Sequence, residues 1–201
     1  MSNFSDGKQD LPVSDVGRLV QQARSGELGA FDVLVGRYQR QATAVAYRLL
    51  NNLDDAMEVS QDAFLRAYDK LGLLSSPAQF GPWLMRIVSN LALNRRRARA
   101  LRNAASLDAS SGGDDDAREF SLPDDAAESP LEAASAKEME TLIDKVLDDL
   151  PEMQRKALVM FSVAKLPQKE VAKMLGCSVE AVKWHVFTAR KKLKDRLRDY
   201  L

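Results

Sequence analysis

The stretch from Leu166 to Leu193, LPQKEVAKMLGCSVEAVKWHVFTARKKL, leaves the chain little choice of local fold. It reads as a helix, a tight turn and a second helix. Pro167 presets the backbone for a helix start, and Glu170 can return a hydrogen bond to the first free amides. Val171, Ala172, Met174 and Leu175 form an apolar face at helical spacing, with Ala172 small where a second helix must cross closely. Gly176 has no Cβ to clash in the left-handed conformation that ends a helix. Ser178 is placed to cap the second helix, with Glu180 in its first turn and Cys177 and Val182 positioned as a hydrophobic staple. Val182, Val186, Ala189 and Leu193 then form a buried stripe, which leaves Lys183, Trp184, Phe187, Arg190 and Lys191 on the open side. An amphipathic pair with a solvated charged face is the plainer alternative. It does not account for two aromatics beside the basic run Arg190, Lys191, Lys192 and Lys194. A helix-turn-helix docked in a DNA major groove does.

Charge elsewhere is segregated, although 29 basic and 29 acidic residues cancel over the 201-residue chain. Arg86 to Arg102 holds six arginines and no acid, whereas Asp108 to Glu132 holds nine acids and one base, Arg118. Basic patches on either side of an acidic tether suggest two modules that face nucleic acid. A single cysteine excludes an internal disulfide and fits a reducing cytoplasm. The N-terminus lacks a signal-peptide pattern and no apolar run is long enough to span a membrane, so a soluble cytoplasmic protein without membrane insertion is expected. Asp114 to Asp116 have no neighbouring histidine or cysteine and no EF-hand spacing, so no metal or cofactor is expected. The one histidine, His185, lies on the candidate reading helix, and no phosphate-cradling glycine loop occurs, which leaves no catalytic constellation.

Taken in order, the chain reads as helices throughout. Ser14 can cap a first helix that Gly26 ends, and a second carries Phe31, Leu34, Val35 and Tyr38 inward and runs on to Leu50. Asn51 and Asn52 punctuate, and Asp54 is expected to cap a third helix with Met57, Val59, Ala63, Phe64, Ala67 and Leu71 inward. Its outward face presents Asp55, Glu58, Gln61, Asp62, Leu65 and Arg66; an exposed leucine among acids suggests a docking face for another protein. Leu73 to Pro82 reads as a loop. The helix expected from Trp83 to Arg102 turns Trp83, Ile87 and Leu91 to the core and crowds Arg86, Asn90, Asn94, Arg95, Arg97 and Arg99 on its other faces. Arginine and amide side chains near Phe80 and Trp83 fit a surface that grips phosphates and stacks exposed bases. Residues 103–135, rich in Ala, Ser, Asp and Gly, read as a flexible acidic linker. The second module starts at Ala136, with one amphipathic helix to Leu150 and another opened by Pro151. The expected fold is all-α, with two small helical domains over residues 14–102 and 136–201.

Two blocks of this sequence resemble the extracytoplasmic-function group of bacterial RNA polymerase sigma factors, over residues 15 to 200. Region 2 of that family is matched by Phe31, Arg37-Tyr38, Ala46-Tyr47-Arg48-Leu49-Leu50, Asp55-Ala56, Gln61-Asp62 and Phe64-Leu65-Arg66-Ala67-Tyr68. Phe80, Trp83-Leu84, Arg86-Ile87 and Asn90-Leu91-Ala92 extend the match. Region 4 is matched by Leu150-Pro151, Arg155, Val171-Ala172, Leu175-Gly176-Cys177-Ser178, Val182-Lys183 and Ala189-Arg190.

The resemblance implies docking on core RNA polymerase through Asp55, Glu58, Gln61, Asp62 and Leu65. It implies that Phe80, Trp83, Arg86, Asn90, Asn94, Arg95, Arg96 and Arg97 hold the melted −10 promoter element, where stacking and phosphate contacts offset the cost of unstacking. Ser178, Glu180, Ala181, Lys183, Trp184, His185, Phe187, Arg190 and Lys191 would meet the −35 duplex. An anti-sigma factor is the further partner implied, and stress-responsive transcription initiation the role. One departure stands out: after Val182-Lys183 the family commonly places Ser-Arg and later His-Arg, where this chain has Trp184-His185 and Phe187-Thr188. That pattern points to apolar contact, such as with thymine methyls. The rival reading is a helix-turn-helix regulator that acts without docking on polymerase.

Overall fold

Aliphatic stripes at helical spacing fold the N-terminal half around one long helix. The computed structural model describes residues 13–106 and 130–198. Within them α1 spans Val13–Arg24, α2 Leu28–Leu50, α3 Leu53–Asp69 and α4 Phe80–Ser106. The second half comprises α5 (Pro130–Asp148), α6 (Glu152–Leu158), α7 (Gln168–Leu175) and α8 (Val179–Leu197). Among the described residues there is no strand, in line with the all-α expectation. None of these helices is long and apolar enough to cross a membrane. Residues 107–129, most of the expected linker, lie outside the described residues, as does the side chain of Ser14.

With 23 residues, α2 is about 35 Å long and is the spine on which α1, α3 and α4 pack. Leu34, Val45, Leu49, Leu84, Met85 and Val88 are fully buried there. Asn51 ends α2 in the left-handed conformation (φ 54°), and the Asn52 side chain accepts a hydrogen bond from the Asp55 amide at 2.8 Å. Asn52, not Asp54, therefore caps α3. The expected loop before α4 is shorter than the sequence suggests, because two 3₁₀ turns (Leu71–Leu73 and Pro77–Gln79) occupy it and α4 begins at Phe80. Arg24 pins this connection by donating two hydrogen bonds to the Leu71 carbonyl (3.0 and 2.8 Å) and another to that of Leu74. Gly81 lets the Tyr38 ring lie against the first turn of α4, since a Cβ there would come within 2.9 Å of it and displace it.

In the second half α6 runs into a π turn, Val159–Val163, before α7. The turn to α8 forms as its residues dictate. Gly176 adopts φ 67°, and Ser178 Oγ accepts from the Ala181 amide at 3.0 Å. Val171, Ala172, Val182, Val186 and Ala189 are buried between the two helices.

The two halves are docked against each other. Gln41 donates to the Val163 carbonyl at 3.0 Å, and Arg48 pairs with Asp144 at 3.1 Å with both side chains largely buried. Behind these contacts the buried apolar side chains of both halves form one continuous cluster.

Candidate nucleic-acid interface

Successive helical residues turn by about 100°, so a run of polar residues along one helix is dealt out to several faces. The acidic patch of α3 divides in this way. Gln61 and Leu65 line a groove of about 530 Å³ between α2 and α3, together with Leu28, Phe31, Val35, Met57, Phe64 and Tyr68. Leu65 is 66% exposed at its edge, as its setting among acids suggested. Met57, expected to face inward, is half exposed on the same edge. It precedes Gln61 and Leu65 by four and eight residues, a spacing that could have revealed the face. Asp55 and Glu58 turn instead toward α4, where they clamp Arg95 at 2.5 and 2.7 Å. Burial works against the Arg95 charge, but the hydrogen bonds to Glu58 and Asp55 outweigh it and its pKa is raised. Asp62 lines a neighbouring polar cleft with Arg66, Asn94 and Arg95.

Along α4, Trp83, Arg86, Asn90, Asn94 and Arg97 fall on one stripe that is exposed apart from the half-buried Trp83. Phe80 does not join it. Its side chain is fully buried, with its ring 6.4 Å from Phe31, 5.5 Å from Tyr38 and 6.0 Å from Trp83. A residue at the heart of four packed helices cannot stack on a base, so Phe80 is a core residue and not a DNA contact. Arg95 and Arg96 lie off the stripe. Arg96 donates to the Leu49 carbonyl at 2.9 Å and pairs with Glu152 at 3.0 Å. Arg86 is on the stripe but pairs with Glu170 of α7. Glu170 thus does not fold back on its own helix as a capping residue; its partner lies 84 positions away, and no local signal could show it. Arg155 completes a crowded seam: burial lowers its pKa and the nearby Arg96 adds to the effect, while Asp148 holds it at 2.9 Å.

On α8 the open stripe consists of Glu180, Lys183, Trp184, Phe187 and Lys191. Trp184 is 57% and Phe187 69% exposed. Among the described residues Lys183 and Lys191 make no ion pair. Ser178 holds the N-terminus of the helix, and Ala181, whose amide it caps, is half-buried beside it. His185 is half-buried with its ring 5.0 Å from Trp184, and its Nδ1 has no partner. Arg190 is turned back to the π turn, where it donates to Ser162 Oγ at 3.1 Å and lies 5.4 Å over the Phe161 ring. It is a clasp between α8 and the π turn rather than part of the stripe.

Comparison with known proteins accounts for most of the chain. Residues 34–102 match the Sigma-70 region 2 family and residues 140–193 the Sigma-70 region 4 family. The RNA polymerase sigma-H factor of Pseudomonas aeruginosa is 30% identical over 184 residues, covering 92% of this chain and 94% of its own. The ECF RNA polymerase sigma factor SigW of Bacillus subtilis is 27% identical, with 92% and 97% covered. Among solved structures, that of CnrH in complex with the cytosolic domain of CnrY superposes with a TM-score of 0.56 at 27% identity, covering 92% of this chain and 98% of that one.

Proposed function

The chain belongs to the extracytoplasmic-function group of RNA polymerase sigma factors, and from that membership we propose a division of labour among three of its surfaces. As a member of this family it is a transcription initiation factor and not an enzyme. The groove between α2 and α3, with Leu65 and Gln61 at its rim, docks on core RNA polymerase in the cytoplasm. The stripe Trp83, Arg86, Asn90, Asn94 and Arg97 on α4, with Arg96 at its flank, holds the melted −10 strand by phosphate contact and stacking. Helix α8 enters the major groove of the −35 element, with Lys183 and Lys191 on phosphates and Trp184 and Phe187 against thymine methyls. An anti-sigma protein is the partner that holds the factor idle, a proposal to which the likeness to CnrH, solved with the cytosolic domain of CnrY, lends support.

One observation carries the reading: two large aromatics stand exposed on a capped helix amid lysines that no described carboxylate neutralises. Such a surface is costly in water and complementary to a polyanion with apolar groups in its groove. Run-off transcription with core polymerase on a promoter library should yield starts at a defined element. Leu65→Arg should abolish co-purification with core polymerase and leave helical circular dichroism intact. Undiminished co-purification removes the α2–α3 groove from this account and moves docking to another surface; failure of the unsubstituted chain to co-purify favours a regulator that works without docking.

A further inference from the structure

The groove between α2 and α3 holds an unexplained polar atom. Ser60 lies three residues after Met57 and four before Phe64, so it shares their face of α3 and lines the groove with them. It is the least exposed of the lining residues, at 3%, and its Oγ has no hydrogen-bond partner. The walls beside it are apolar, with Phe31 and Val35 from α2 and Phe64 and Tyr68 from α3. A serine inside a helix commonly points to solvent or bonds the carbonyl four residues back. Ser60 does neither, and a buried hydroxyl left alone costs stability that alanine at the same place would not.

We propose that the Ser60 hydroxyl is a binding group for core RNA polymerase, which completes it by inserting a side chain with an apolar stem and an uncharged hydrogen-bonding tip. The inference rests on the docking reading of this groove given above. The apolar walls fit the stem. The tip must be neutral, because an ion carried to that depth would lose its water and meet no counter-charge. Among the described residues that line the groove only Asp32 is charged, and it is exposed. A serine oxygen moves between staggered positions by turning about one bond, so the docked side chain can draw it into the groove. The chain thus gives up a little stability when free and recovers it on docking. The same atom rejects a partner that offers a wholly apolar side chain at this place. Ser89 of α4 is the internal control: it is fully buried and its Oγ is also without a partner, but it lies outside the groove.

The test uses the full chain, labelled at its N-terminus with fluorescein and titrated with core polymerase by anisotropy, together with urea unfolding of the unlabelled chain. Ser60→Ala and Ser89→Ala should each leave the urea midpoint unchanged or raise it, since each removes an unpaired polar atom. Only Ser60→Ala should weaken polymerase binding, by about 5- to 50-fold, as expected when the inserted tip is left unpaired. Leu65→Arg, measured alongside, tests the docking reading itself. Unchanged affinity for Ser60→Ala, where Leu65→Arg abolishes binding, overturns the role of the hydroxyl and keeps the groove as the docking face. A lowered midpoint for Ser60→Ala shows the hydroxyl to be partnered inside the chain and also overturns it. Equal weakening by Ser89→Ala shows the loss to be general and overturns it as well. Indifference of binding to both Ser60→Ala and Leu65→Arg overturns the docking reading, and the inference with it.

Discussion

Helices α4 and α8 are both basic, and they keep their charge in opposite ways. On α4 the cations are engaged before any ligand arrives: Arg86, Arg95 and Arg96 each hold a carboxylate, and Arg96 a backbone carbonyl as well. On α8 Lys183 and Lys191 stand open, beside aromatics that have no apolar cover. The difference follows from position. Helix α4 packs on α2 and α3, and ion pairs to Glu152 and Glu170 reach it from the second half, so Arg86, Arg95 and Arg96 each find an acid. Helix α8 packs on α5, α6 and α7, and its side bearing Lys183, Trp184, Phe187 and Lys191 meets solvent. Basic composition alone does not reveal whether a helix is ready to bind; the carboxylates around it decide.

The sharpest way to test this contrast is to delete one phenylalanine from each helix. Phe80→Ala removes a fully buried ring and should cost about 3–5 kcal/mol of stability in urea unfolding. Phe187→Ala removes an exposed one and should leave stability within about 0.5 kcal/mol, while weakening −35 duplex binding about 10-fold. If the two variants behaved alike, the distinction between the helices would fail. A smaller effect is expected of Lys183→Ala, which should weaken duplex binding several-fold and flatten the log–log salt slope by about 0.9, the share of one phosphate contact. Smaller again, replacing thymine by deoxyuridine in the −35 duplex should reduce affinity about 2- to 5-fold for the native chain and hardly at all for Phe187→Ala. Least of all is expected from pH. The hydrogen bond from Lys156 lowers the Glu152 pKa against the opposing effect of burial, and Arg96 lowers it further. A depressed folded-state pKa means that this carboxylate's contribution to closure is complete above its unfolded value and is lost only as pH falls through the folded one. The radius of gyration should therefore stay constant across neutral pH and rise only in acid below the ordinary glutamate range; expansion between pH 6 and 8 would count against the Glu152 contact.

The same contrast explains what could be read from sequence. The helix-turn-helix was legible because local chemistry decides it: a glycine at φ 67° and a serine cap three residues from its donor leave few alternatives. The exposure of Leu65, Trp184 and Phe187 was legible too, since each sits out of phase with its helix's apolar stripe. Phe80 was misplaced because two prolines and two serines around it resemble a loop, whereas the chain folds into 3₁₀ turns that deliver the ring to the core. Asp55 and Glu58 were grouped with Leu65 for want of any sign of Arg95, 40 and 37 residues on. The seam pairs are farther apart still, and long-range ion pairing has no period to detect. The π turn at Val159–Val163 was hidden because its residues would suit an ordinary α-helix equally well.

The connection between α3 and α4 is anchored by the buried Leu71 and Leu74 and clasped by one arginine. Through Arg24 the carbonyls of Leu71 and Leu74 are tied to the end of α1, and the intervening backbone closes its own 3₁₀ turn. The conformational freedom of this segment is thus surrendered once, during folding. Any ligand that packs against it meets backbone already ordered, so little further conformational entropy is lost on binding.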